Sequence, residues 1–344
     1  MSARLQRLSA PAWTGLIVAG LVVPWLFPHH LTVFAFAWCM VVLALSWDIC
    51  GGQMGYNSFG NIFFFGIGMY ACAVVQRDLW HGVASGQAQL VLTAPQYLIG
   101  LGLGLVAGVV AAVALAFLLG SQILGMRGHY FAICTLGLGI AAGEIATGVD
   151  FIGAGSGMVT PLMPAGLPGK EIFYYAFFML LALFALWLLS RLYAGRFGLA
   201  LNAIRDNEDK AEAMGLPTVA YKTTAWAVSA ALLALAGGGV GNLVGFIDPI
   251  DVAFAGASFG VWMILMAILG GKGTLWGPLI GAFLFYAAKE VTWTYFLGWQ
   301  RVMLGALIVI IVVFFPEGIM GWLRERFPAR FGGAPASETQ EDRS

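Results

Sequence analysis

The segment RDNEDKAEAMG carries the densest set of side chains that could do chemistry. Six charges lie within the eight residues from Arg205 to Glu212, whereas only 10% of the 344 residues are charged and 60% are hydrophobic. On a helix, Arg205 would lie one turn from Asp209, and Asp206 one turn from Lys210, where opposite charges can pair. Such residues support ion pairing and hydrogen bonding, either within the chain or with another protein.

The residues around these charges have the pattern of an amphipathic helix. Apolar residues at helical spacing form one stripe, interrupted by Glu208: Phe197, Leu201, Ile204, Ala211 and Met214. Gly215, followed by Leu216 and Pro217, predicts a sharp stop, because glycine accepts a left-handed cap and proline cannot continue a helix. We therefore predict one helix over about 197–215, with a positive φ at Gly215. It either lies on a membrane surface or docks on a soluble partner.

Four polar side chains interrupt apolar runs and are candidates for a path through a membrane. Asn57, Ser58 and Asn61 fall in one predicted span, where Asn57 and Asn61 would share a helix face. Polar groups inside a span are costly unless they are hydrogen-bonded or face water. These residues therefore either bond a neighbouring helix or line a solute path. Glu144 lies near the end of another span and is either a functional intramembrane acid or an interfacial one.

The sequence gives no sign of several common kinds of active site. A phosphate-binding G-x-x-x-x-G-K-[ST] loop is missing, because Met266 replaces its first glycine and a glycine follows Lys272. The four cysteines and four histidines show no metal-ligand spacing, and no nucleophile with a nearby base stands out. We expect no enzymatic activity and no cofactor on this chain. A formal net charge of zero gives no indication of a nucleic-acid partner.

The elements that must position these residues are membrane spans. A helix needs about 20 apolar residues to cross the hydrocarbon layer. We predict an all-α polytopic membrane protein with about ten spans, over residues 11–27, 31–49, 57–76, 97–119, 129–148, 172–190, 220–245, 253–270, 275–297 and 302–322. Gly100, Gly104 and Gly108 repeat at four-residue spacing, which predicts close packing of helices.

The distribution of lysine and arginine predicts which side each loop faces. Basic residues gather before the first span, between the sixth and seventh, and after the tenth, which places both termini and the 197–215 helix in the cytoplasm. Two long loops, 77–96 and 149–171, then face outward. The second is rich in Gly and Pro and is predicted to be an ordered surface loop. The small polar tail 331–344 is predicted to be disordered and cytoplasmic.

Four stretches of the sequence form a recognisable series over residues 51–283. They are the glycine-rich run GGQMGYNSFGNIFFFGIGMY, the loop FIGAGSGMVTP, the segment GRFGLALNAIRDNEDKAEAMGLP and the turn ILGGKGTLWGPLIGAF. Their content and order resemble the LivM-like family of branched-chain amino acid permeases, which are inner-membrane subunits of ABC importers. Asn61 replaces the histidine of the family pattern, and GAGSG is looser than the family's loop motif.

The resemblance implies one transmembrane permease domain over 1–330, embedded in the lipid of the bacterial inner membrane. It implies that the 197–215 helix is a coupling helix that docks on an ATPase subunit. The residues that carry this role are Arg205, Glu212, Ala213 and Gly215. The implied partners are a homologous second permease, two ABC ATPases that bind ATP and Mg²⁺, and a periplasmic substrate-binding protein. The residues at which that protein would dock are Gly153, Gly155, Ser156 and Gly157.

The function implied is ATP-driven import of branched-chain or related hydrophobic amino acids. One alternative keeps this architecture and changes the cargo to urea or short amides. Another is a stand-alone secondary transporter, for which Glu144 would be the proton or ion site. ATP dependence separates these classes, and a membrane-bound enzyme is the weakest alternative.

Overall fold

The computed structural model describes residues 10–79, 92–164, 166–296 and 318–326, with a few single positions between 298 and 309. The helices are α1 Ala10–Leu26, α2 Leu31–Asp48, α3 Ile62–Leu79, α4 Ala94–Ile123, α5 His129–Thr147, α6 Lys170–Tyr193, α7 Arg196–Asp206, α8 Glu208–Ala213, α9 Thr218–Val244, α10 Val261–Gly270, α11 Trp276–Tyr295 and α12 Gly318–Arg326. Two short strands, β1 Met158–Val159 and β2 Phe246–Ile247, pair antiparallel. The prediction of an all-α polytopic membrane protein is confirmed.

Seven helical segments of the described residues are long and apolar enough to cross a membrane, and they correspond to predicted spans two to eight. Predicted span one forms the shorter apolar helix α1. Span nine forms α11, which is not among the seven. Span ten and the 331–344 tail lie largely or wholly outside the described residues. A total of ten spans therefore stays a prediction.

Close backbone approach holds the centre of the bundle together. The helices α3, α4 and α9 pack against one another, while α2 packs against α6, α10 and α11. A Cβ at Gly104 would lie 2.8 Å from the carbonyl oxygen of Cys72, and one at Gly108 would lie 3.1 Å from that of Gly68. These glycines are buried where α4 meets α3. The predicted packing role of the Gly100–Gly104–Gly108 repeat is confirmed.

Two predicted spans are less regular than their hydropathy suggests. Residues 54–61 form no helix, so α3 begins only at Ile62, and α2 ends in a π-helical turn at Ile49–Gln53. The cause is the run GGQMGYNSFG, whose glycines favour non-helical backbone; Gly55 has a φ of 80°. Likewise, two π-helical turns, Pro249–Ala253 and Gly256–Gly260, precede α10. Such turns occur often at functional sites.

The predicted single helix over 197–215 is wrong, because the chain breaks at Asn207 and forms α7 and α8. Asn207 has extended backbone, with φ −164° and ψ 105°, and its side-chain oxygen accepts a hydrogen bond from the Lys210 amide at 2.9 Å. An asparagine that caps a new helix competes with continuation of the old one. The predicted stop is confirmed: Gly215 has a φ of 85°, and the Leu216 amide donates to the Ala211 carbonyl at 3.1 Å.

Candidate functional site

Glu208, the first residue of α8, is the charged residue that interrupted the apolar stripe. Its side chain is only 11% exposed. One carboxylate oxygen accepts a hydrogen bond from the Lys222 ammonium at 2.6 Å, and the other accepts one from the Tyr56 hydroxyl. Burial raises the pKa of Glu208, but the hydrogen bonds from Lys222 and Tyr56 outweigh it and hold that pKa below its ordinary value. Glu208 is therefore ionised at neutral pH.

Lys222 lies in the second turn of α9, and its side chain is 1% exposed. The ammonium donates to Glu208, to the Leu124 carbonyl at 2.6 Å and to the Tyr56 hydroxyl at 3.1 Å. It also lies 4.6 Å from the centre of the Tyr56 ring, close enough for a cation–π interaction. All three N–H groups of the ammonium are satisfied. One buried cation thus joins α9 to α8, to the end of α4 and to the segment before α3.

Arg127, in the connection between α4 and α5, forms a second and more exposed attachment of α8. Its guanidinium lies 2.5 Å from the Asp209 carboxylate, 3.4 Å from that of Glu208 and 3.7 Å from that of Glu212. The hydrogen bond to Asp209, followed by the charge of Glu208, raises the pKa of Arg127. The whole acidic face of α8 is therefore directed toward one arginine.

The predicted pairs Arg205–Asp209 and Asp206–Lys210 do not form, because the break at Asn207 ends the helix between their members. Arg205 instead pairs with Asp206 at 3.2 Å and donates to the Gly52 carbonyl at 3.4 Å. Arg205 therefore places the end of α7 against the turn that follows α2.

A small surface at the end of α8 is left uncovered in this chain. Glu212, Ala213, Met214 and Gly215 are all exposed, and Met214 is 86% exposed. The prediction that Met214 shares one helical stripe with Leu201, Ile204 and Ala211 is wrong, since α8 ends before it and the chain turns at Gly215. Leu201, Ile204 and Ala211 of that stripe are buried within this chain.

The polar residues expected in span three lie instead in the non-helical 54–61 segment or at its end, so Asn57 and Asn61 do not share a helix face. Asn57 is exposed, whereas Ser58 is buried, and its hydroxyl has no partner among the described residues. Asn61 is buried between Ser229 and Trp226 of α9, at 3.4 and 3.5 Å. Asn61 therefore joins the non-helical segment to α9.

Glu144 is exposed on α5, three residues before that helix ends. The 54–61 segment contacts α5 at Thr135, whose hydroxyl accepts from the Phe59 amide at 3.1 Å, and at Gly139, where a Cβ would lie 3.9 Å from the Gly60 Cα. Glu144 lies five residues beyond Gly139, roughly 8 Å at helical rise, and makes no contact with that segment among the described residues. The structure thus does not bring Glu144 together with Asn57, Ser58 and Asn61.

The 149–171 loop, which is predicted to face outward and is called the outer loop below, is ordered over its described residues and pairs with the chain at the far end of α9. Gly153 and Gly157 have φ values of 92° and 74°, and Gly155 and Ser156 are exposed between them. Directly after Gly157, β1 pairs with β2, which follows α9. A cavity of about 280 Å³ lies beside this pair, lined by 161–164 and 167–170 together with Asn242 and Gly245.

Sequence reasoning missed Lys222, Tyr56 and Arg127 as members of a site. The distribution of basic residues along the sequence does not distinguish Lys222 and Arg127 from the other lysines and arginines. Two signals were present: Glu208 stood in an apolar stripe, and Lys222 stood in the first turns of an apolar helix. Each charged residue is unusual in an apolar pattern, and the opposite charges of the two together indicate a buried ion pair.

Comparisons with known proteins place this chain among transport permeases. The sequence model of the family described as "Branched-chain amino acid transport system / permease component" matches residues 30–312. The permease protein LivM of the high-affinity branched-chain amino acid transport system of Salmonella typhimurium is 27% identical over 91% of this chain and 79% of its own. A probable LivM of Methanocaldococcus jannaschii is 27% identical over 67% and 71%, respectively.

A second kind of permease is also similar, over a shorter region. LivH of the Escherichia coli high-affinity system is 28% identical over 37% of this chain and 40% of its own. No solved structure matches. Since the family match covers most of the sequence and the fold is a bundle of membrane-length helices, this chain belongs to the branched-chain amino acid transport permease family.

Proposed function

We propose that this chain is a permease subunit of an ATP-driven importer, which moves branched-chain or related hydrophobic amino acids across the bacterial inner membrane. The observation that carries the proposal is the way in which α8 is held. Lys222 and Arg127 attach this helix to three other parts of the bundle, yet its last residues are exposed. A short helix that is firmly held on one side and open on the other is suited to receive a moving partner.

The partner at α8 is an ABC ATPase, and two such subunits bind and hydrolyse ATP with Mg²⁺. The contact with the ATPase includes Arg205, Glu212, Ala213 and Gly215. Met214 also belongs to it, because its side chain is exposed. A charged rim around an exposed apolar side chain is typical of protein interfaces. The chain itself has no phosphate-binding loop.

Two further partners complete the importer. A homologous second permease is supported by the similarity of this chain to both LivM and LivH proteins. A periplasmic binding protein docks on the outer loop at Gly153, Gly155, Ser156 and Gly157, where the backbone is ordered and small side chains leave it accessible.

The path for the amino acid passes the 54–61 segment. Asn57 and Ser58 line it, since Asn57 is exposed and the Ser58 hydroxyl has no partner among the described residues. Asn61 holds the segment to α9 beside the path. Glu144 lies at its outer part, on the exposed face of α5.

Reconstitution in liposomes tests this function. The chain is co-purified with the second permease and the ATPases, and uptake of labelled leucine is measured with the binding protein outside and ATP inside. We expect uptake only when ATP, ATPases and binding protein are all present, and none with labelled urea. Uptake of leucine by this chain without ATPases would instead indicate a secondary transporter.

A further inference from the structure

We propose that the buried Lys222–Glu208 pair is the joint through which movement of α8 is passed to α4 and α9. The two side chains are positioning residues that do not touch the cargo. The inference rests on the proposed function, because it describes how displacement by the ATPase enters the membrane helices.

The pair is built to keep α8 and α9 together. Both carboxylate oxygens of Glu208 accept hydrogen bonds, and all three N–H groups of Lys222 are used. The Lys222 side chain is 1% exposed and that of Glu208 is 11% exposed. Separating the two side chains would therefore leave two unpaired charges with little access to water. Separating a buried pair in this way is strongly unfavourable. A displacement of Glu208 therefore carries Lys222 with it.

Other attachments of α8 are weaker candidates for this role. Ala211 is the only buried residue of α8, so apolar packing holds the helix little. After the other end of α8, a Cβ at Gly215 would meet no atom within 4 Å, so the chain is not packed against other residues there. The Arg127 contacts are about half-exposed and are weakened by water and salt. The buried contact thus lies at the start of α8, at Glu208.

The joint leads to long, rigid elements. Leu124, whose carbonyl Lys222 contacts, caps the 30-residue α4, and Lys222 itself lies on the 27-residue α9. Both helices pack closely against α3. At its far end α9 continues into β2, which pairs with β1 of the outer loop. A shift of α8 is therefore carried across the bundle to the loop at which we propose that the binding protein docks.

Three variants of the complete complex separate transmission from mere stability: Lys222→Met, Glu208→Gln and the double variant. Each single change leaves one buried polar or charged group without its partner, so we expect a lower yield of assembled complex. The double variant removes both charges, and we expect its yield and thermal stability to recover. Its ATPase stimulation by ligand-loaded binding protein should nevertheless fall about tenfold, within the usual 5–150-fold range of coupling between sites.

Hydrogen–deuterium exchange of the α8 amides gives a second measurement on the same complexes. In the double variant these amides should exchange faster than in the native chain, because α8 is no longer held at Glu208. Lys210→Ala is the matched control, because this lysine is exposed and only its backbone amide, which the substitution keeps, takes part in the contacts described for the site. Both measurements should match the native chain.

A double variant that keeps full stimulation and native α8 protection would overturn the inference and leave the pair as a stability element. A native complex that lacks ATP-dependent uptake would overturn the proposed function, and the transmission role with it. Loss of stimulation in the double variant, beside a coupled native complex, supports the inference.

Discussion

At the scale of one residue, Gly215 is restricted by its backbone conformation. Its φ of 85° lies in the left-handed region, although no atom would obstruct an added Cβ. The constraint is therefore backbone strain alone, of roughly 1–2 kcal/mol for a residue with a Cβ. That is small beside the packing of a large bundle, so the effect of substitution should be local.

We predict that Gly215→Val assembles normally but reduces ATP-dependent uptake and the response of the ATPase to loaded binding protein. The strained turn would shift the exposed surface from Glu212 to Met214, which we propose faces the ATPase. Gly215→Asn is the control, because asparagine tolerates the left-handed conformation. Uptake rate and complex yield are measured for both. Equal uptake by the native and valine chains would show that this surface is passive.

Asn207 is the residue that separates two elements, so its role belongs to the scale of helices. Its side chain caps the amide of Lys210, and the acidic first turn of α8 suits a helix N-terminus. The cap also fixes the direction in which α8 leaves α7, and thereby brings Glu208 to Lys222.

We predict that Asn207→Ala destabilises α8 by about 1 kcal/mol, the usual value of a lost cap. Amides of Glu208–Ala213 should exchange faster, while those of α9 should not change. Asn207→Asp keeps an acceptor oxygen and should behave like the native chain. If the α8 amides of the alanine variant exchange hydrogen at the native rate, then tertiary contacts, and not the cap, keep α7 and α8 as separate helices.

The outer loop depends on backbone shape in the same way. Gly157 has a φ of 74°, and a Cβ there would lie 2.6 Å from the Ile247 carbonyl, within the β1–β2 pair. We predict that Gly157→Ala separates the strands and weakens docking of the binding protein, measured by surface plasmon resonance on the purified complex. Gly169→Ala is the control, since Gly169 is not one of the proposed docking residues, has open space and has no positive φ. Equal binding by both variants would place the docking site elsewhere.

Elements were predictable where local sequence decides them. Hydropathy located seven spans, and Leu216-Pro217 after Gly215 located the end of α8. The break at Asn207 was missed because the helical spacing of apolar residues continues across it. Asn57 was assigned to a helical span because the mean hydropathy of the window around it is apolar. That mean does not register the neighbouring glycines, which favour non-helical backbone. The Lys222 contacts could not be predicted, since they join residues 14, 98 and 166 positions apart.

At the scale of the whole molecule, the bundle has two chemically different ends. One carries α8, Lys222 and Arg127, and the other carries β1, β2 and the outer loop; α9 extends between them. Arg77 belongs to the second end, because its guanidinium donates to the Phe151 carbonyl at 2.6 Å and lies 4.5 Å from that residue's ring.

These ends predict the orientation in the membrane. Burial of Lys222 removes one charge from the count of loop lysines and arginines, yet Arg127, Arg191, Arg196, Arg205 and Lys210 remain on or next to the α8 side. The excess of basic residues still favours a cytoplasmic location for that side. The outer loop then faces the periplasm.

Thiol labelling in intact spheroplasts checks this orientation. Cys134→Ser is the background, because the other three cysteines are buried. A membrane-impermeant reagent should label Ser156→Cys, which is exposed in the outer loop, without permeabilisation. Lys210→Cys, equally exposed on α8, should react only after the membrane is opened. Labelling of Lys210→Cys from outside would reverse the orientation, and an ATPase could then not reach α8, so the importer assignment would fall with it.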